Sequence, residues 1–367
     1  MNSLRRPHDW PGHNIMKVNM KKILNRIKRI HFYENDRNSP EDIVFLSCLT
    51  SLAGGIGMNV KRHITEDGWT QRRLYFDLLA CTGMGFGLLW HPDHCCSCLD
   101  LTLVNDSHDE TIKRGFYGIG SDVRIMENTP ETREEIRKML VDSIDAGRPV
   151  IAFGMVEPPE SGLVCGYEED GGILLGYDAF QNQFPCEKNE NGMVVLRDWT
   201  KVWKFAFVHG TPTPVDLGAE RFRREAAAHG VKIMEKTESQ GYLAGQTAYR
   251  AWRDYVSDNS FSQEEIRARH RLHHLLVGNL AEARYFTGVY LEESPKESPT
   301  ARAGELFREI HNRCWKIWGV LGEYGDSKES LSEKFALPEN RARIAEHIDE
   351  ISKLDQAALQ YLKEACQ

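Results

Sequence analysis

Cys48 stands in SPEDIVFLSCLTSLAGGIG, where a loop bearing a proline and two acids runs into an apolar stretch that stops at Gly54-Gly55. A thiol at a helix N-terminus meets unpaired backbone N–H groups and the positive end of the helix dipole, and both favour the nucleophilic thiolate. Further on, PPESGLVCGYEEDGGILLGYDAF (158–180) reads as a hairpin. Its apolar runs, Leu163 to Tyr167 and Ile173 to Tyr177, flank the acidic, glycine-ended loop Glu168-Glu169-Asp170-Gly171-Gly172. A carboxylate marks each open end, Glu160 and Asp178. Such a pair suits proton transfer if one member has a raised pKa, or charge-assisted binding of an amine.

A second constellation is HPDHCCSC, with His91, His94, Cys95, Cys96 and Cys98, soft ligands of the kind zinc prefers. Adjacent Cys95 and Cys96 fit one tetrahedral ion poorly, and no second CxxC or HxxxH follows. A zinc site recruiting His63 or Cys81 therefore competes with a thiol-rich surface loop. The glycines of CTGMGFG (81–87) precede no Lys-Ser/Thr and no βαβ unit, so they point to close helix packing, against the Cys48 helix for instance, rather than to a phosphate cradle. His270, His273 and His274 occupy adjoining faces of one helix as solvated or packing residues, with His270 and His274 spaced as an i,i+4 metal pair. Asn279, Glu282 and Arg284 are polar residues inside an otherwise apolar helix. They are candidates to bind substrate at the mouth of a cleft, or to bond neighbouring helices.

The elements that must position these residues fall into two regimes. Strand patterns cover Val150 to Phe153, Leu163 to Tyr167, Ile173 to Tyr177, Met193 to Leu196 and Lys204 to Val208, and Pro212 and Pro214 punctuate the chain after them. Helical periodicity then dominates 218–239, 242–257, 262–292, 299–325 and 339–365. Asn259 or Ser262 starts one helix ahead of Glu264-Glu265, and Ser298 precedes another. The fold class is α+β with an appended helical bundle. Its divisions are a basic N-terminal segment (1–30), an α+β domain (31–215) and a helical domain (216–367).

A net charge of -8 over 367 residues argues against nucleic acid as the main partner, and no run of about 18 apolar residues provides a membrane span. Residues 1–30 carry eight Lys/Arg against the single acid Asp9 but no apolar signal region. Ile23, Leu24, Ile27 and Ile30 there form a short helical stripe, suited to packing on its own domain, with a basic opposite face. Met16 and Met20 leave a later start of translation open. Nine cysteines without regular spacing or an export signal indicate a reduced, cytoplasmic protein.

Residues 47–57, TGMGFGLLW (82–90) and GRPVIAFGMVEPPESGLVCGYEEDGGILLGYDAFQ (147–181) together resemble the butirosin biosynthesis protein H N-terminal family. That family belongs to the papain-like group that includes the double-glycine leader peptidases. AYRAWRDYV (248–256) and GNLAEARYFTGVYL (278–291) resemble helical partners of such domains, so the likeness spans most of 40–295. The resemblance implies a papain-like fold and a cysteine-centred acyl transfer or amide cleavage. The substrate would be small and amine-bearing, with the donor free or linked to an acyl carrier, and no cofactor is called for. It puts the nucleophile at Cys48, the orienting acid at Asp178 and the usual histidine at Glu160, six residues before Gly166. The expected oxyanion-donor glutamine is replaced by Asp42 in that neighbourhood. A glutamate in the histidine's place changes the chemistry. When ionised it raises the thiol pKa; with a raised pKa of its own it would shuttle a proton. The alternative is a catalytically inactive papain-like binding module.

Overall fold

The computed structural model describes residues 20–27, 30, 41–58, 60–64, 70–91, 101–213, 215–322 and 326–367. β1 (Lys22–Ile23) and α1 (Val44–Gly55) come first, then a small hairpin of β2 (Arg62–Ile64) and β3 (Thr70–Arg72) that runs directly into α2 (Arg73–Thr82). β4 (Leu89–Trp90) and α3 (His108–Gly118) precede β5 (Asp122–Glu127), α4 (Arg133–Asp145), β6 (Val150–Phe153), β7 (Ser161–Glu168), β8 (Ile173–Asp178), β9 (Val194–Leu196) and β10 (Lys204–His209). The remainder is α5 (Glu220–Met234), β11 (Glu238–Ser239), β12 (Tyr242–Ala244), α6 (Gly245–Ser257), α7 (Gln263–Glu292), α8 (Pro299–Leu321), α9 (Lys328–Phe335) and α10 (Pro338–Ala365). The chain is thus mixed α+β, with an antiparallel sheet followed by a helical region, as its two regimes of periodicity predict.

The main sheet has the order β5-β10-β6-β7-β8-β9, every neighbour antiparallel. Its strands are buried on both faces, which is why they read as continuous apolar runs rather than alternating ones. Ile151, Phe153, Leu163 and Cys165 belong to the core that contains α1. Val150, Ala152, Val164 and Leu174 pack with Ile136, Leu140 and Ile144 of α4 on the other face. β5 escapes the apolar pattern because it is an edge strand. Its Asp122, Arg124 and Glu127 keep that edge charged, which discourages pairing with another chain.

The first half of β7 pairs with β6; after an irregularity between Val164 and Gly166, Gly166 and Tyr167 pair with β1. A Cβ at Gly166 would lie 2.6 Å from the Lys22 carbonyl oxygen, so only glycine admits β1 this closely. This pairing corrects the expectation for the N-terminal stripe. Ile23 is in a strand, the Leu24 N–H donates to the Cys165 carbonyl (2.8 Å), and no helix forms among the described residues there. The stripe's apolar residues do pack on their own protein, with Ile27 and Ile30 buried.

The helical region begins its elements at the expected caps. Ser262 and Glu265 form a reciprocal capping box on α7, and the Ser298 hydroxyl accepts the Ala301 N–H at the head of α8, with Pro299 in its first turn. The boundary at 215/216 does not divide the core. β4 pairs with β12 across it, Phe76 of α2 stacks on Phe286 of α7 (4.2 Å), and one apolar cluster runs from Ile27 to Leu362. Residues 1–215 expressed alone are therefore expected to aggregate, because α2 and the glycine turn after it lose their apolar cover. A monodisperse fragment in size-exclusion chromatography would show instead that the halves are separable.

Candidate active site

α1 carries Cys48, and its head is held from three directions. Its N-cap Ile43 has no capping side chain of its own. The Ile43 N–H instead donates to the Tyr75 hydroxyl (3.0 Å), and the Asp42 N–H donates to the Glu282 carboxylate (3.1 and 3.2 Å), to which the Tyr75 hydroxyl also donates. Arg72 forks onto the buried carboxylate of Glu41 and reaches the Ser51 hydroxyl (2.8 Å) and the Ser47 carbonyl (3.0 Å). Burial pushes the Glu282 carboxyl far above its ordinary pKa, and the like charge of Asp42 adds to this.

With the helix starting at Val44, Cys48 is its fifth residue rather than its first. The expected contact with unpaired N–H groups is therefore lost. The sulfur is fully buried, and its S–H donates to the Ser161 carbonyl at 3.4 Å. Burial is the main force raising the thiol pKa; Asp178 and Glu160 raise it further, against the charge of Arg72. Arg72 is already committed to Glu41, so the resting group is a thiol.

The hairpin sits where its pattern predicts. Ser161, the first residue of β7, pairs with Phe153, and Phe153 stacks on Phe45 of α1 at 6.1 Å. Gly162 pairs with Asp178, the last residue of β8. Strand alternation directs Ser161 and Leu163 toward α1, and Gly162 and Asp178 toward the face that carries Met155. A Cβ at Gly162 would lie 2.6 Å from Met155 Sδ and 3.1 Å from Asp178 Oδ2. Cys48, Glu160 and Asp178 are thus near enough to interact electrostatically, but Asp178 lies on the opposite face of the sheet from α1. Asp178 Oδ1 accepts the Phe180 N–H at 2.8 Å, while Oδ2 is buried with no partner at hydrogen-bond distance among the described residues. Desolvation dominates there and pushes the carboxyl up to about 7. Glu160 is half-buried just before β7, its carbonyl accepting the Gly154 N–H at 2.8 Å.

The three residues expected to bind substrate do other work. Arg284 is fully buried, forks onto Asp355 (2.9 Å twice) and donates to the carbonyls of Gly85 (2.6 Å) and Phe86 (3.1 Å). Glu282 holds the head of α1. Asn279 lines an apolar cavity of about 10 Å³ with Leu88, Leu101 and Leu276, room for no more than one water. Glu282 and Arg284 thus have partners in the first half, and a ligand would have to break those contacts.

The glycines of 81–87 do serve close packing, Gly83 against His229 of α5, Gly85 against α7 and Gly87 against Val104, not against the Cys48 helix. A Cβ at Gly85 would stand 1.8 Å from Thr287 Oγ1. In the thiol-rich stretch, residues 92–100 lie outside the described residues; His91 packs on Tyr242. His273 accepts the Trp252 indole N–H (3.1 Å), and burial pushes His270, to about 4, and His273 and His274 below the ordinary imidazole pKa. No group of three metal-binding side chains occurs among the described residues. No helix among them is long and apolar enough to cross a membrane.

Sequence reasoning missed Ser161, Tyr75 and the Arg72–Glu41 pair, which the fold brings together from separate segments. It also passed over His108, whose ring meets Phe153 (4.9 Å) and Trp203 (5.3 Å). Phe153 contacts both that imidazole and Phe45 of the cysteine helix. Compared with known families and curated proteins, the chain matches no family model and no curated sequence.

Proposed function

We propose that this chain is a papain-like domain with a helical cover, akin to the butirosin biosynthesis protein H N-terminal family, that binds a small amine-bearing molecule at Glu160 and keeps Cys48 as a thiol. The carrying observation is the state of that thiol: buried, bonded to the Ser161 carbonyl, and raised in pKa by both neighbouring carboxylates. A cysteine nucleophile needs the opposite environment. The papain-like part is supported by a cysteine-bearing helix packed on a hairpin whose open ends carry Glu160 and Asp178. The half-buried Glu160 offers an ammonium group a charge-assisted hydrogen bond. A reduced, cytoplasmic setting agrees with the free thiols of Cys48, Cys81, Cys165, Cys186, Cys314 and Cys366.

The second reading is acyl transfer or amide cleavage, with a free or acyl-carrier-linked donor reaching Cys48 after the site opens. It is favoured by Glu160, half-buried next to Ser161, whose carbonyl takes the Cys48 S–H. Alkylation at pH 7.5, followed by peptide mass spectrometry, separates the two. Labelling is expected at exposed Cys366 and absent at Cys48 until the protein unfolds; faster labelling at Cys48 selects acyl transfer. In calorimetric titration with a polyamine, Glu160→Gln should weaken binding about tenfold, the loss of one charged hydrogen bond. No saturable heat with the wild-type protein would rule out the amine site.

A further inference from the structure

On the sheet face opposite α1, the start of α4, the β7–β8 turn and the chain after β9 enclose an open pocket of about 230 Å³. Arg133, Arg137, Gly172, Arg197, Trp199 and Thr200 line it. Three guanidiniums thus meet in a chain whose net charge is -8. None of these residues takes part in the Cys48 site.

The arginines differ in how far their charge is already compensated. Arg197 forks onto Glu187 (2.8 and 3.1 Å). Arg137 donates to two neutral acceptors, the carbonyls of Asp170 and Glu169, both at 2.9 Å. Among the described residues Arg133 makes one long hydrogen bond, 3.4 Å from its Nε to Asn128 Oδ1, which leaves its terminal nitrogens open there. Arg133 and Arg137 therefore present charge that no carboxylate neutralises by direct contact.

The turn that aims Arg137 is unusual. Glu169 (φ 52°), Asp170 (φ 53°) and Gly171 (φ 84°) are consecutive left-handed residues, and the first two carry side chains that disfavour that conformation. Strain of this kind persists where the surroundings fix it. Here it turns two carbonyls onto one guanidinium. Gly172 follows with no side chain; a Cβ there would stand 3.7 Å from Arg137 Nη2.

We propose that this pocket binds the phosphate group of a phosphorylated small molecule, with Arg133 and Arg137 as the donors and the buried Trp199 as a wall for the organic part. Forked guanidinium donors match the several acceptor oxygens of a phosphate. The volume suits a ligand smaller than a drug-sized one. Glu134 and Asp198 also line the pocket, so its lining carries three positive charges against two negative ones.

The test is calorimetric titration of the full chain at constant ionic strength with glycerol 3-phosphate, with inorganic phosphate as competitor and glycerol as control. Saturable binding of glycerol 3-phosphate, displaced by phosphate and absent with glycerol, is the expected result. Arg133→Ala, whose side chain has no other strong contact, should weaken binding about tenfold or more while leaving the melting temperature unchanged. Arg137→Ala also releases the turn, so Arg133→Ala is the deciding variant. Absence of saturable binding to either phosphate compound, or equal affinity in Arg133→Ala, would overturn the proposal.

Discussion

Arg284→Met is expected to remove about 3–5 kcal/mol of folding stability, the cost of breaking a buried ion pair by deleting one partner. The guanidinium is fully buried and serves Asp355 together with the carbonyls of the 84–86 turn, so its loss strands a buried carboxylate and several acceptors at once. Urea unfolding at pH 7 measures this as a lower midpoint at an unchanged slope. Arg284→Met combined with Asp355→Leu should recover a large part of the loss, because no charge is then left buried. A single variant within about 1 kcal/mol of the wild-type protein would show that the arginine does not fasten α7 to the first half.

Asp178→Asn should do the reverse and stabilise the protein at pH 8. In the folded chain the carboxyl titrates at about 7, against 3.8 for the exposed group. Between those values the folded state holds a proton that the unfolded state has released, so stability falls as pH rises through this window and levels off above it. The gap is worth about 4 kcal/mol of destabilisation by the ionised group. An asparagine keeps the acceptor for the Phe180 N–H, but its amide nitrogen lacks a partner, which costs about 1–3 kcal/mol. The net gain at pH 8 is then about 1–3 kcal/mol, and near pH 4, where the folded wild-type carboxyl is already neutral, only the amide cost of about 1–3 kcal/mol remains and the variant is the less stable protein. A gain that does not change between pH 4 and pH 8 would contradict the raised pKa.

The hairpin was legible in the sequence because its signals are local: two apolar runs, an acidic loop ending in glycine, and a carboxylate at each open end. The caps of α7 and α8 were legible for the same reason. What escaped notice depends on contacts between distant segments. α1 begins one turn before Cys48 because Tyr75 and Glu282 supply the partners for its first N–H groups, and neither is adjacent to it in the chain. That offset moves the thiol from a helix end, where the thiolate is favoured, to a sealed position where it is not. Glu282 and Arg284 were conspicuous as polar residues in an apolar helix. Their spacing shows that they need partners, while only the fold shows that those partners are protein groups. β1 hid behind a helical spacing of isoleucines, since two paired residues are too few to express a strand's period of two.

The junctions of this fold also set an order of events during synthesis. β1 cannot pair until Gly166 has been made, and the head of α1 awaits Glu282, 240 positions after Asp42. Arg284 reaches its carboxylate only once residue 355 has left the ribosome. Contacts so far apart in the chain slow folding, and a nascent chain waiting for them exposes apolar faces for the whole interval. At about 5–20 residues per second, elongation from β1 to Asp355 occupies roughly 15 s to a minute. Through that interval Cys48 is reachable by reagents that the finished protein excludes, so oxidation or covalent capture of this thiol is a hazard of the growing chain.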